Sequence, residues 1–452
     1  MRILRIELRR SAAVWAALVL LGTALGLLYV LPGPWWHGSA AWDKQWVPSA
    51  LWMRYLLAFV WPIAVGAGAL QALRDSRSGM TELLTTTPRP GWARAVKLTA
   101  ALALTLTVSY LLLFAVGVVQ VIVHKGFFDL AWLPNVLVGI LGLVAGACLG
   151  LGVGRLFPHP VTPPLLAAAV LVASAFLQSA LFRGYAPGTM LPNRLGLLLP
   201  GLDEPWHVLL VTATRVDLGQ GVWFAGLAGT GLLLLIAGSV RARLLALLPM
   251  GVGLAVALPL FPATRDGNYV VDQRASRLVC EGDVCVAAMH ESELPRLAEA
   301  GREALRLLAI LPNAPERVEE ITTPTQYFAV PPRATGVVYV DLAEEALLKA
   351  QPDDLVRSLV AGVGMPTCSG EYSAGPREDV MRIVTAAWFT GVAKPPPELR
   401  WLGDRLDTEI NAAWTALRAM PAEQQKARIE AVRQANLVCR NDLLDVLTGV
   451  AR

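Results

Sequence analysis

Residues 98–123, LTAALALTLTVSYLLLFAVGVVQVIV, hold no charged side chain. A bilayer core about 30 Å thick is crossed by roughly 20 helical residues, so this stretch alone is long enough to span it. Backbone groups in hydrocarbon have no water to bond and must pair within the segment, which makes the run a helix. Six further apolar runs lie outward from it, near 11–31, 51–73, 133–154, 164–182, 220–240 and 244–263. The run from Pro164 to Phe182 is also free of charge. A soluble protein can bury one such helix; seven in succession predict a polytopic helical membrane protein.

Composition agrees. The chain has 452 residues, of which 55% are hydrophobic and 16% charged, against about a quarter charged in a soluble domain. The deficit is uneven. Residues 1–264 hold 18 Lys/Arg and 8 Asp/Glu, whereas residues 265–452 hold 21 and 27. An apolar, basic front and an ordinary, mildly acidic back of domain size predict two compartments. The basic residues sit at the ends of apolar runs and form no continuous stripe, so no nucleic-acid partner is expected.

Orientation follows the Lys/Arg content of the short loops. With the N-terminus in the cytosol, the inner segments carry Arg2, Arg5, Arg9, Arg10, Arg74, Arg77, Arg89, Arg94, Lys97, Arg155, Arg241 and Arg243. The outer segments and span ends carry only Lys44, Arg54, Lys125, Arg183, Arg194 and Arg215. Seven crossings then place residues 265–452 outside. Two alternatives stand beside this. Residues 1–41 also read as a signal peptide with Gly38-Ser39-Ala40 as the cleavage site. The last two runs, joined by a turn near Arg241–Arg243, could instead cross once between them, which flips the tail.

The five cysteines test the compartment. Cys148 lies in an apolar run and reads as a packing residue. Cys280, Cys285, Cys368 and Cys439 lie in the tail. An even set in an outer domain reads as a disulfide framework. Residues 277–280 and 285–288 look like two strands around Glu281-Gly282-Asp283, which favours Cys280–Cys285 and leaves Cys368–Cys439. Free buried thiols are the alternative. A zinc site is disfavoured, because the tail has one histidine, His290, and no Cys-x-x-Cys.

Between the second and third runs lies Arg74-Asp75-Ser76-Arg77-Ser78-Gly79-Met80-Thr81-Glu82-Leu83-Leu84-Thr85-Thr86-Thr87-Pro88-Arg89-Pro90-Gly91-Trp92-Ala93-Arg94. Met80, Leu83 and Leu84 fall at i, i+3 and i+4 and give a short helix one apolar face. Glu82 and the flanking arginines point elsewhere. Pro88 and Pro90 stop the helix and stiffen the return. Such a face, exposed to cytosol, is matched by a docking groove on a partner or lies on lipid headgroups. In its basic start, its Gly then Glu-Leu-Leu helix, and its Thr-Pro-Arg-Pro exit followed by Trp and basic residues, the stretch resembles the first cytoplasmic loop of bacterial ABC-2-type permeases.

That resemblance covers residues 1–243. It implies a six-span permease core in which Arg77, Gly79, Met80, Glu82, Leu83, Leu84, Pro88 and Arg89 form the coupling helix that docks on a separate ATPase subunit. The permease would work as a dimer, of two copies or of two related chains. The basic amphipathic start, with Arg2, Arg5 and Arg9 opposite Ile3, Leu4 and Leu8, resembles the family's connecting helix. The outer segment from Arg183 to Gly219, with Pro187, Pro192, Pro200 and the apolar patch Trp206–Val211, resembles its partly re-entrant outer loop. Residues 244–264 would be an additional span, and residues 265–452 an α+β domain outside the membrane.

Three absences and one repeat bear on mechanism. No G-x-x-x-x-G-K-[ST] occurs, so the chain has no P-loop and any ATPase is a separate polypeptide. The runs hold few ionisable groups; Arg54 is placed near an outer end where it can reach water, and Gln71, Gln120 and Gln178 are the main polar side chains. That disfavours a proton-coupled carrier. No nucleophile–base pair, metal set or cofactor motif is found, so no enzyme activity is expected. Gly142, Gly146, Gly150 and Gly154 recur every four residues, which suits close helix packing within the subunit or a seam between protomers.

The tail reads as α+β, with a strand at Gly336–Leu342 and helices near 292–310, 353–362, 378–390, 402–419 and 422–436. This order resembles the gluzincin zinc-peptidase domain. Where that family carries His-Glu-x-x-His, this chain has Arg357-Ser358-Leu359-Val360-Ala361, and Thr390 falls near its third ligand. The resemblance then implies a cap without peptidase chemistry. The remaining functional alternative is a membrane-anchored binding or sensory protein.

Overall fold

The computed structural model describes residues 13–30, 45–77, 91–179, 181, 191–202, 205–324, 330–343, 345–368 and 375–449. The chain divides into two compact units, residues 1–205 with 210–270, and residues 206–209 with 271–452.

The first unit is built of apolar helices. They are α1 (Ala13–Val30), α2 (Trp46–Arg77), α3 (Gly91–Val123), α4 (Trp132–Leu156), α5 (Thr162–Gln178), α6 (Thr214–Ile236) and α7 (Val240–Leu260). Among the described residues, α2, α3, α4, α6 and α7 are long and apolar enough to cross a membrane; α1 and α5 are apolar but shorter. Two sequence expectations shift. The run drawn from 220 begins at Thr214, so Asp217 belongs to the helix. The turn before α7 lies at Ala237–Ser239, and Arg241 and Arg243 are helical. Ser239 explains the second change, because its hydroxyl caps the new helix by accepting the Ala242 N–H at 3.2 Å.

Small residues set the packing of α2, α4 and α6. A Cβ on Gly146 would strike the Trp61 indole; on Gly150, the Val65 carbonyl; on Gly154, the Ala69 carbonyl. These pairs advance together along the two helices, so α2 and α4 run parallel. Gly142 faces Phe224, and Gly152 faces Gly231, which puts α6 parallel to α4. The four-residue glycine repeat therefore packs within one chain, with α2 against Gly146, Gly150 and Gly154. Helices α6 and α7 form an antiparallel hairpin, with Gly219 against Phe261, Gly226 against Pro249, and Met250 N–H donating to Thr230 Oγ1 at 3.0 Å. A short two-stranded ladder, β1 (Leu210–Thr212) with β2 (Tyr269–Val271), joins the chain before α6 to the chain after α7.

The second unit has a four-stranded sheet in the order β3 (Leu278–Glu281), β4 (Val284–Ala287), β5 (Arg317–Glu320), β6 (Val337–Val340). β3 and β4 pair antiparallel around Gly282, whose φ of 60° suits a two-residue turn. β5 and β6 add in parallel. Helix α8 (Leu294–Leu308) supplies the crossover, and buries Leu294, Leu297, Ala298, Gly301, Ala304 and Leu308, a single stripe at helical spacing. Gly301 lets it approach Val284 and Val318 of the sheet. Helices α9 (Pro352–Val360), α10 (Pro376–Thr390), α11 (Asp407–Arg418), α12 (Ala422–Leu437) and α13 (Leu443–Thr448) complete the core. The helix expected at 402–419 is α-helical only from Asp407, because Gly403 at φ 54° breaks the preceding turns of 3-10 helix.

Candidate functional site

A buried polar network lies where the N-terminal portions of α2, α4 and α6 meet. Arg54 sits there with no exposed surface, which corrects the expectation that it reaches water. A guanidinium carries five N–H donors, and its three nitrogens are all engaged. Nε and Nη2 donate to the Pro200 carbonyl at 3.3 Å each. Nη1 donates to Asn135 Oδ1 at 3.1 Å and to Asp217 Oδ1 at 3.3 Å, and Nη2 also donates to Gln220 Oε1. Thr212 Oγ1 donates to the same Asn135 oxygen at 2.8 Å.

Burial explains why so many partners converge. A charge taken out of water costs several kcal/mol unless it is paired and hydrogen-bonded. α2 supplies the arginine, α4 the amide, and α6 both the carboxylate and Gln220. The sequence reading leaves Asp217 outside its run, which starts three residues further on, and it passes over Asn135 and Gln220 although both fall within apolar runs. A signal was present: Asp217 and Gln220 fall at i and i+3 on one face of the same helix.

The network reaches a fourth element. Segment 197–202 has no regular structure beyond bends and turns, yet Leu197, Leu199 and Leu202 are buried. Backbone carbonyls in such a place need donors, and side chains of the helices provide them. Gln220 Nε2 donates to Leu197 O at 2.9 Å and Leu199 O at 2.8 Å. Trp223 Nε1 donates to Leu198 O at 2.8 Å, and Arg54 holds Pro200 O. Gly201 touches Ala58 and Pro200 touches Gly142. At 1.5 Å per residue, those contacts lie about 15–18 Å along α2 and α4 from their starts.

The coupling-loop residues Gly79, Met80, Glu82, Leu83, Leu84, Pro88 and Arg89 lie outside the described residues, and Arg77 is the last residue of α2. Arg2, Arg5 and Arg9 and the alternative cleavage site at Gly38–Ala40 also lie outside them.

In the second unit, Cys280 is bonded to Cys285 with Cα atoms 4.0 Å apart, and Cys368 to Cys439 at 5.3 Å. Cys148 is free and buried. A buried acid–histidine cluster lies beside the sheet. His290 Nδ1 donates to Glu320 Oε1 at 2.6 Å, and Glu320 Oε2 accepts the Ala287 N–H at 2.7 Å. His290 Nε2 has no partner. Burial disfavours the imidazolium, but Glu320, Asp341 and Glu293 outweigh it and hold the His290 pKa above its ordinary value. His207 Nε2 donates to Asp341 Oδ1 at 3.2 Å, while Leu209 N–H donates to His207 Nδ1. Burial opposes ionisation of Asp341, yet His207, the Ala343 N–H and His290 bring its pKa below the usual carboxylate value.

A second cluster grips the turn after α9. Arg433 donates to Val363 O at 2.7 Å, Arg382 to Met365 O at 2.8 Å, and Arg333 to Pro366 O at 2.8 Å and Thr367 O at 2.6 Å. Burial lowers both Arg333 and Arg433 to about 10. At the positions matching the zinc-peptidase motif, Arg357 pairs with Asp354, Ser358 donates to Glu398 Oε2 at 2.9 Å, and Ala361 is buried. Thr390 donates to its own helix at Ala386 O. Among the described residues, no group of three His, Cys, Asp or Glu could hold a metal ion.

The class these features define is a mainly α-helical membrane protein, with five helices fit to cross a bilayer and two bonded cysteine pairs among its described residues. Compared with known proteins, the chain matches no family model, no curated protein and no solved structure.

Proposed function

We propose that the chain is the permease subunit of an ABC-type transporter, driven by ATP hydrolysis in a separate subunit that docks on residues 79–87. One observation carries this most: Arg54, Asn135 and Asp217 bring the N-terminal portions of α2, α4 and α6 to one end of the bundle. The C-terminal end of α2 and the start of α3, which flank the coupling stretch, therefore belong to the opposite end. The Lys/Arg bias makes that opposite end cytosolic, where a short helix with an apolar face can be gripped. The arginine network and residues 191–202 then lie toward the outer side. The second unit follows α7 on that side, and its bonded cysteines suit an oxidising compartment.

Two substitutions test the coupling. Glu82→Ala and Leu83→Ala should leave the protein folded and membrane-inserted but separate ATP hydrolysis from transport. Wild-type coupling in both variants removes the mechanism. A mild-detergent pull-down of the full chain should bring an ATPase with it.

A second reading is favoured by one feature. The residue 206–209 and 271–452 unit has its own sheet, its own hydrophobic core and both disulfides, as a membrane-anchored binding or sensory domain would. In that case no ATPase co-purifies.

A further inference from the structure

Non-helical backbone buried among apolar helices is tolerated where side chains satisfy it. Among the described residues, segment 197–200 meets that condition through three side chains, Arg54, Gln220 and Trp223, each making its bond through a side-chain N–H. We propose that Leu197–Leu202 is a plug that closes one end of the helix bundle, and that Arg54 with Gln220 is the latch that holds it shut.

The geometry divides the segment into an anchored root and a held tip. The root is fixed by an amide pair: Asn193 Nδ2 donates to Asn268 Oδ1 at 2.8 Å, and Asn268 Nδ2 returns a bond to Asn193 Oδ1 at 3.0 Å. Asn193 Nδ2 also reaches Pro262 O at 3.0 Å. The root is thus tied to the chain that follows α7. The tip, Leu199-Pro200-Gly201, is wedged between Ala58 of α2 and Gly142 of α4. Leu199 N–H is bonded at 3.0 Å to Gly196 O of the short helix before it, while the Leu199 and Pro200 carbonyls are held by the latch.

Arg54 is suited to release as well as to hold. Two of its bonds go to the plug at Pro200, and its others go to Asn135, Asp217 and Gln220 on the helices. When the plug leaves, the arginine keeps a carboxylate and two amides and does not become an unpaired buried charge. Asp217 is the partly exposed edge of the network, with 12% of its side chain open, so water can follow the departing carbonyl. What passes when the plug opens rests on the permease reading; the hold itself does not, and it is tested without nucleotide or ATPase.

The test is cysteine accessibility in the purified full-length chain. Leu199→Cys is treated with a membrane-impermeant sulfonated maleimide, with Leu151→Cys, as fully buried but nearer the other end of α4, as the control. Leu199→Cys should react slowly in the parent and at least about tenfold faster in Arg54→Gln and in Gln220→Ala, a change equivalent to about 1.4 kcal/mol. Leu151→Cys should stay protected in both. Equal, slow labelling of Leu199→Cys in parent and variants overturns the latch. If Arg54→Gln also exposes Leu151→Cys, the milder Gln220→Ala decides. Exposure of both sites in both variants overturns the proposal too, because the network is then a requirement of the fold and not a latch on one segment. An ATPase found or missing in the pull-down leaves this result unchanged.

Discussion

Arg54 and Asp217 stand 163 positions apart in the chain and 3.3 Å apart in the fold, joining α2 to α6 inside an apolar bundle. Removing one partner of a buried pair leaves the other uncompensated and costs about 3–5 kcal/mol. Arg54→Met and Asp217→Leu should each lower the unfolding midpoint in detergent strongly, and the double variant should lose clearly less than the two losses combined. Additive losses would mean that the two side chains do not act as a pair.

The glycine seam makes a sharper structural prediction. A methyl group on Gly150 would meet the Val65 carbonyl at 2.0 Å, whereas one on Gly251 of α7 meets nothing within 4 Å. Overpacking of this kind costs about 1–3 kcal/mol. Gly150→Ala should therefore destabilise the helical unit, while Gly251→Ala leaves it unchanged or slightly firmer. Thermal unfolding followed by helical circular dichroism separates the two.

The two disulfides close loops of very different length, with sequence separations of 71 and 5. The chain-entropy account gives about 4 kcal/mol for the long loop and about 2 kcal/mol for the short one. Cys368→Ser should lower the stability of the second unit by roughly twice as much as Cys280→Ser. Differential scanning of the oxidised full-length chain measures this, and equal shifts would count against it.

His290 gives a pH dependence of definite sign. Its pKa is raised in the fold, chiefly by Glu320 acting against burial, and Asp341, Glu293 and His207 surround the same cluster. A raised histidine contributes its full stabilisation below the ordinary value of 6.5 and loses it as pH rises through the folded value. Protection of the Ala287 amide, bonded to Glu320, should fall across that window once intrinsic exchange is corrected. In His290→Gln the protection should be flat with pH; an unchanged slope would assign the effect elsewhere.

Local pattern carried some of this structure and not the rest. Runs of apolar residues at helix length are visible one segment at a time, and so is a Cys-x4-Cys hairpin around Gly282. The stripe of Leu294, Leu297, Ala298 and Gly301 is equally local. The Arg54 network is not. Asn135, Pro200, Asp217 and Gln220 are each ordinary in their own neighbourhoods, and only parallel packing of α2, α4 and α6 brings them together. Strand β5, Arg317–Glu320, was hidden for another reason: three of its four residues are charged, and Glu320 is turned inward to meet His290. The seam at Gly142–Gly154 was legible as close packing, but only the partner helix tells that it lies within one chain.

The most direct measurement is sidedness in sealed cells. Thr85→Cys and Glu299→Cys are treated with a membrane-impermeant maleimide before and after permeabilisation. The account predicts that Glu299→Cys reacts in intact cells and that Thr85→Cys reacts only once the membrane is opened, since residues 79–87 must face the cytosol to meet an ATPase. Labelling of Thr85→Cys from outside intact cells would contradict it.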